Sequence, residues 1–213
     1  LLALTSRVVD AGDSASTVGG WVTNGAGYHF NENYGFGLID ADALTQAAAQ
    51  YSGVTPLVTL DSGLVSLNHA AIPDATATVA NGLFVTFDVT ATAPLEDIDV
   101  TLGYSHTDRG DLEGFVVSPM GTTSRLFLGS LSDTASVSGF SWSYDDNAFW
   151  GENPLGEWKI ELFDTAQGHT GTWDSVQLAL NEGSLVPVPE PASVGLMGLA
   201  AIGLLVRRRR FSI

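Results

Sequence analysis

The chain has 213 residues, room for one domain of ordinary size plus a fragment or a tail, and four of its eight basic residues are gathered at Arg207 to Arg210. With a formal charge of −16, the remaining body lacks the clustered Lys and Arg that displace counterions from phosphate, which excludes nucleic acid as a partner. The absence of cysteine excludes a disulfide framework, a thiolate metal site and a cysteine nucleophile, and leaves the redox compartment open.

Leu1 to Val9 reads as the end of an amphipathic helix, and a chain that starts on Leu1 with no start signal is expected to be a C-terminal piece. Asp10 to Gly27 is rich in Gly, Ser, Asp and Asn and is expected to be loop. Gly35 and Gly37, set beside Tyr34 and Phe36, suit close backbone approach, with simple packing as the favoured reading. Asp40 is placed to accept from first-turn amides of an alanine-rich helix over Ala41–Gln50.

From Leu57 to Leu180 the period is two. Ile98, Val100, Leu102 and Tyr104 alternate with Asp97, Asp99, Thr101 and Gly103, and the same pattern recurs at Trp158, Ile160 and Leu162 and at Val176, Leu178 and Leu180. Short strands without a long helix predict a β-sandwich. Ser118-Pro119-Met120-Gly121 has the residues of a tight turn between two antiparallel strands. Trp142, Phe149, Trp150, Trp158 and Trp173 are read as sandwich core and domain interface rather than as a ligand platform.

Four clusters invite a sharper reading. His106, Asp108 and Asp111 offer imidazole and carboxylate ligands to a cation, but the spacing is unspecific. The favoured alternative has Asp111 pairing with Arg109 or capping a turn, and His106 bonding within its loop. Arg109-Gly110-Asp111 spells an adhesion tripeptide and is expected to shape a tight turn instead. Gly121-Thr122-Thr123-Ser124 has the letters of a serine nucleophile but falls in a hairpin, and Asp145 and Asp146 near Glu152 form an acidic patch with solvated loop as the default. No catalytic residue and no metal ligand is assigned within the chain.

At the end, Val188-Pro189-Glu190-Pro191-Ala192 precedes an apolar stretch that closes on Arg207, Arg208, Arg209 and Arg210. An apolar helix over 192–206 is shorter than the ~20 residues of a full membrane span, so it would anchor weakly. The arginines favour a cytoplasmic C-terminus, which places the acidic body outside that membrane.

These strings resemble known families. Val188–Ala192 with its apolar run and arginines resembles a PEP-CTERM sorting signal. Trp21-Val22-Thr23-Asn24 and Tyr34-Gly35-Phe36-Gly37 resemble the closing segment of a subtilisin/kexin-type catalytic domain. His106 to Leu112, Ser118 to Thr122, Phe149 to Trp158 and Gly171 to Ser175 resemble the P (homo B) domain that follows it. The resemblance implies a mainly β chain: residues 1–51 a helical remnant of the subtilase α/β domain, 52–65 a linker, 66–181 a jelly-roll P domain, 182–187 a linker and 188–213 the sorting signal.

By the same resemblance the catalytic triad lies upstream of Leu1, the P domain stabilises its own catalytic domain, and calcium serves the full-length protease while this chain holds no cofactor. An exosortase-like transpeptidase would cut near the PEP motif, with transient inner-membrane anchoring and a final place in the bacterial cell envelope, the periplasm or outside. The implied function is exported serine endopeptidase, and the rival is a noncatalytic cell-envelope binding module.

Overall fold

The computed structural model describes residues 1–13, 19–74, 82–130 and 132–186. Two antiparallel sheets face one another. One has the order β5 (Leu83–Val89), β10 (Gly156–Asp164), β7 (Leu112–Val117), β8 (Thr123–Phe127). The other has the order β3 (Val58–Asp61), β11 (Gly171–Glu182), β6 (Leu95–His106), β9 (Val137–Asp146), and β4 (Val65–Ala71) joins β11 on the β3 side. β3 and the first residue of β4 lie in the stretch read as a linker, because Val58–Asp61 pairs with Ala179–Glu182.

The alternation places the core. Ile98, Val100 and Leu102 are fully buried, and they stand opposite Leu180, Leu178 and Val176 so that apolar side chains meet on one face. From the other sheet Trp158, Ile160 and Leu162 of β10 and Leu112 and Val116 of β7 close against them. Trp158 packs edge-on to Phe149 at 5.1 Å between ring centroids, and its Nε1 donates to the Pro154 carbonyl at 2.9 Å, which satisfies the one polar atom a buried indole carries.

Turn chemistry holds where it was legible. The Gly121 amide donates to the Ser118 carbonyl at 2.9 Å, and Gly121 takes φ +86°, a conformation side chains avoid, so β7 and β8 form the expected hairpin. A β-bulge at Asp174 in β11 faces the left-handed pair Asn68 and His69 in β4.

The front segment holds α1 (Leu2–Thr5), the two-residue strands β1 (Val22–Thr23) and β2 (His29–Phe30), and α2 (Ala41–Ala49). The first helix therefore stops four residues short of Val9, and a small hairpin crosses the edge of the stretch read as loop. Asp40 caps α2 by accepting from the Ala43 amide at 3.0 Å, as its position implies. Arg7 and Leu38 exchange backbone hydrogen bonds of 2.9 and 2.8 Å, and at Gly37, φ +109°, a Cβ would run into the Arg7 carbonyl. Gly37 thus serves close approach, whereas Gly35, φ +58°, has open space beside it and serves conformation alone. The apolar helix read over 192–206 lies outside the described residues. Among the described residues no helix is long and apolar enough to cross a membrane.

Candidate functional site: where the front segment meets the sandwich

The contact is built on the Ser118–Gly121 turn, which presents Thr122 to Glu152. Thr122 Oγ1 donates to Glu152 Oε1, and the Gly25 amide donates to the same oxygen at 2.7 Å and to Thr122 Oγ1 at 3.0 Å. Glu152 is fully buried, so a backbone amide from the front segment adds a second donor to a carboxylate oxygen that the sandwich itself supplies only with Thr122. Met120 lies against Gly25 so closely that a Cβ there would meet its side chain.

Asn24 is the second fastening. Its Nδ2 donates to the carbonyls of Ala148 and Trp150, both at 2.9 Å, while its Oδ1 accepts from Ala26 at 3.0 Å and Tyr28 at 2.9 Å. The two Nδ2 bonds of this buried amide join the β1–β2 loop to the loop after β9, and the two Oδ1 bonds brace the β1–β2 loop itself. Glu32 is the third: Oε2 pairs with Arg125 at 2.5 Å and Oε1 accepts the Arg125 amide at 3.1 Å. Burial pushes the Glu32 carboxyl above its ordinary range despite Arg125, and burial does the same to Asp146 against donors at Ser124 and Ala148. Farther along, Thr55 donates to Ser184 at 2.8 Å, Val54 bridges Leu185, and Val186 donates to Gly53 at 3.0 Å.

The second group of ionisable residues lies in loops at the end of β6. Asp111 does not pair with Arg109. Its Oδ2 lies 2.7 Å from His169 Nδ1, and Arg109 pairs with Asp133 at 2.6 Å instead. Asp108 caps the short 3₁₀ turn Arg109–Asp111 by accepting from Gly110, whose Cα faces the Ser130 and Asp133 carbonyls with no room for a side chain. The Arg-Gly-Asp string is thus folded inward. His106 is fully buried, with Nε2 3.1 Å from Asp164 and Nδ1 2.5 Å from the Asp108 carbonyl, as a loop-bonding histidine should be. Burial raises Asp164, and the hydrogen bond to Asp111 raises His169.

Among the described residues the one group with metal-ligand geometry is Asp108, Asp111 and His169, whose ligand atoms lie within 4.8 Å of one another. Calcium does not fit this set: it prefers six or more oxygens, and here one of three ligands is an imidazole nitrogen already bonded to Asp111. A serine triad needs imidazole between hydroxyl and carboxylate. At β4–β11 the order is wrong, because Asp174 stands between Ser105 Oγ at 3.0 Å and His69 Nδ1 at 2.7 Å. Ser124 of the Gly-Thr-Thr-Ser string is buried on β8 and bonds Asp146.

Of the aromatic residues, Trp158, Trp173 and Phe149 are core, and Trp150 lies at the contact through its carbonyl. Trp142 departs from expectation: it is 58% exposed, because β9 is the end strand of its sheet and no described residue covers that position. Val188–Ala192 and Arg207–Arg210 fall outside the described residues.

Residues 95–180 match the model of the proprotein convertase P-domain, and residues 187–210 match that of the PEP-CTERM protein-sorting motif. Furin from Bos taurus is 33% identical over 189 residues, covering 85% of this chain and 23% of its own length. A PC3-like endoprotease variant from Hydra vulgaris is 31% identical over 147 residues, 68% of this chain and 21% of its own. The chain thus spans about a fifth of the length of such relatives. A serine protease from Aeromonas sobria, solved with its chaperone, superposes with a TM-score of 0.71 at 24% identity, over 86% of this chain and 39% of that one, which shows the shared fold.

Proposed function

From a chain that carries a proprotein convertase P domain and a PEP-CTERM sorting motif, we propose that it is the C-terminal portion of an exported serine endopeptidase of the subtilisin/kexin class. The sandwich, wound as a jelly roll, buttresses the end of the catalytic domain, of which residues 1–51 are the last part. The observation that carries this is the fastening at Asn24, Gly25 and Glu32. Three side chains or amides of the front segment complete the bonding of Ala148, Trp150, Glu152 and Arg125, so the two parts are built to be made together.

In this reading an upstream serine attacks the peptide carbonyl after an imidazole takes its proton, with an aspartate steadying the imidazolium. Calcium belongs to that upstream portion, since the cluster at Asp108, Asp111 and His169 does not suit it. An exosortase-like transpeptidase processes the tail after residues 192–206 engage the inner membrane, and Arg207–Arg210 hold the C-terminus on the cytoplasmic side. The protein then resides in the envelope or is released.

The test is a peptidase assay on the longer polypeptide carrying the upstream segment, with and without a serine-directed inhibitor and with the active serine replaced by alanine. Inhibitor-sensitive cleavage lost in the alanine variant supports the reading. A frame lacking the Asp, His and Gly-Thr-Ser blocks, or no such cleavage, overturns it. The second reading, a noncatalytic cell-envelope binding module, is favoured by one observation, the exposed Trp142.

A further inference from the structure

Two loops, 107–111 and 165–170, meet at the end of β6, and each is held in place by bonds that leave Asp108 Oδ2, Asp111 Oδ2 and His169 Nδ1 facing one another. Thr165 donates to the Asp111 carbonyl through both its amide and its Oγ1, at 2.8 Å each, and Gly110 donates to Asp108 Oδ1 at 3.1 Å. On the other loop the Gly168 amide donates to the Asp74 carboxylate at 3.1 Å, and Thr170 and Thr107 exchange bonds of 2.9 and 3.0 Å. The residues on either side of His169 are therefore fixed. Its Nδ1 is delivered 2.7 Å from Asp111 Oδ2 and 3.9 Å from Asp108 Oδ2.

Charge at this point does not balance. Asp108 and Asp111 are only 7% and 5% exposed, and carboxylates taken out of water need a cation. The chain has four basic residues ahead of Arg207, and each is engaged elsewhere: Arg7 with Asp40, Arg109 with Asp133, Arg125 with Glu32 and Lys159 with Glu161. His106 has its two nitrogens spent on Asp164 and on the Asp108 carbonyl. Among the described residues this leaves His169 as the one positive group for two buried carboxylates.

Ligand chemistry chooses the ion. One imidazole nitrogen with two carboxylate oxygens suits a borderline divalent ion such as zinc, which takes both ligand types at about 2.0–2.2 Å in tetrahedral order. Ligands so placed stand ~3.4 Å from one another. The observed 2.7 and 3.9 Å fall on either side of that spacing. The His169 side chain is 46% exposed, which gives an ion a way in from solvent and leaves a fourth position for water.

We propose that Asp108 Oδ2, Asp111 Oδ2 and His169 Nδ1 form a zinc-type metal site that clasps the 107–111 loop to the 165–170 loop. On binding, Nδ1 gives up the hydrogen it shares with Asp111, the ring keeps its proton on Nε2, and the metal takes the place of that hydrogen. Asp74 and Gly110 act as positioning groups, one for the histidine loop and one for the Asp108 carboxylate. The site stands on this geometry and does not depend on the peptidase reading.

The test titrates zinc chloride into the full chain in a phosphocholine micelle by calorimetry. His169→Gln and Asp111→Asn are compared with His69→Gln, which removes an exposed imidazole bonded to a single carboxylate. One zinc should bind per chain, His169→Gln and Asp111→Asn should each weaken it about tenfold or more, and His69→Gln should leave it unchanged. Zinc at about a hundredfold over its dissociation constant should raise the melting midpoint by about 5–10 °C. Nitrogen-15 spectra should place the metal on Nδ1 of His169 rather than Nε2. Glutamine at 169 can still donate to Asp111, so the metal-free melt of that variant should stay near wild type, which separates lost binding from lost folding. Zinc affinity unchanged by His169→Gln, ligation through Nε2, or loss of binding in His69→Gln would overturn the proposal. Displacement of zinc by an excess of calcium chloride would also overturn it, in favour of a hard oxygen site. None of these readouts depends on peptidase activity.

Discussion

Replacing Asn24 by alanine should loosen the whole protein rather than one loop. The substitution leaves the carbonyls of Ala148 and Trp150 and the amides of Ala26 and Tyr28 without the partner they have now, in a position that is 3% exposed. Each such bond contributes about 1 kcal/mol, and because some of the freed groups reach water the combined loss should be ~3 kcal/mol. For a chain of this size that lowers the thermal midpoint by about 6–12 °C. Circular dichroism at the β-sheet band follows the melt, and hydrogen exchange at Ala26 and Tyr28 should accelerate in the same variant. Gln46→Ala removes an exposed bond to Asp42 on α2 and should change stability by less than ~0.5 kcal/mol. If Asn24→Ala shifts the β transition by less than about 1 °C, or splits off an early transition that leaves the sandwich untouched, the front segment is not integral to the fold.

Three further outcomes follow from individual contacts. Trp158→Ala removes a fully buried indole packed on Phe149 and should cost about 3–5 kcal/mol in a denaturant titration, whereas Trp142→Ala should cost little. Burial holds Asp146 protonated to higher pH than a free carboxyl, so its contribution to stability is complete below the ordinary value of 3.8 and is lost as pH rises through the folded value. Asp146→Asn should therefore flatten that loss and raise the melting midpoint at neutral pH, and an unchanged pH profile would contradict the burial argument. The His169 imidazole should titrate above 6.5 by NMR, and Asp111→Asn should bring it back toward 6.5; its contribution is present below 6.5 and fades as pH rises through the folded value.

The β body was legible wherever one strand carried its own instructions. Ile98 to Tyr104 alternate strictly, and burial follows the alternation as far as Leu102, beyond which Gly103 is buried with its neighbours; Pro119 and Gly121 specify their turn, and Asp40 its cap. Partners far apart in sequence were not legible. His169 meets Asp111, Arg109 meets Asp133, and Glu152 meets Gly25 only once the strands are registered, and no local pattern favours these pairs over nearer ones. β3 was missed because Val58–Asp61 is short and mostly exposed, so its hydrogen bonds to β11, rather than hydropathy, place it. Trp142 fits the same alternation as Phe140 and Tyr144, but hydropathy cannot say that a strand lies at an edge.

The most direct measurement compares two midpoints in the longer polypeptide that carries the catalytic segment: thermal inactivation of peptidase activity, and melting of the β-sheet signal, each with and without Asn24→Ala. If the sandwich buttresses the catalytic portion through this contact, both midpoints fall together. An inactivation midpoint that stays in place while the sandwich melts earlier would contradict it.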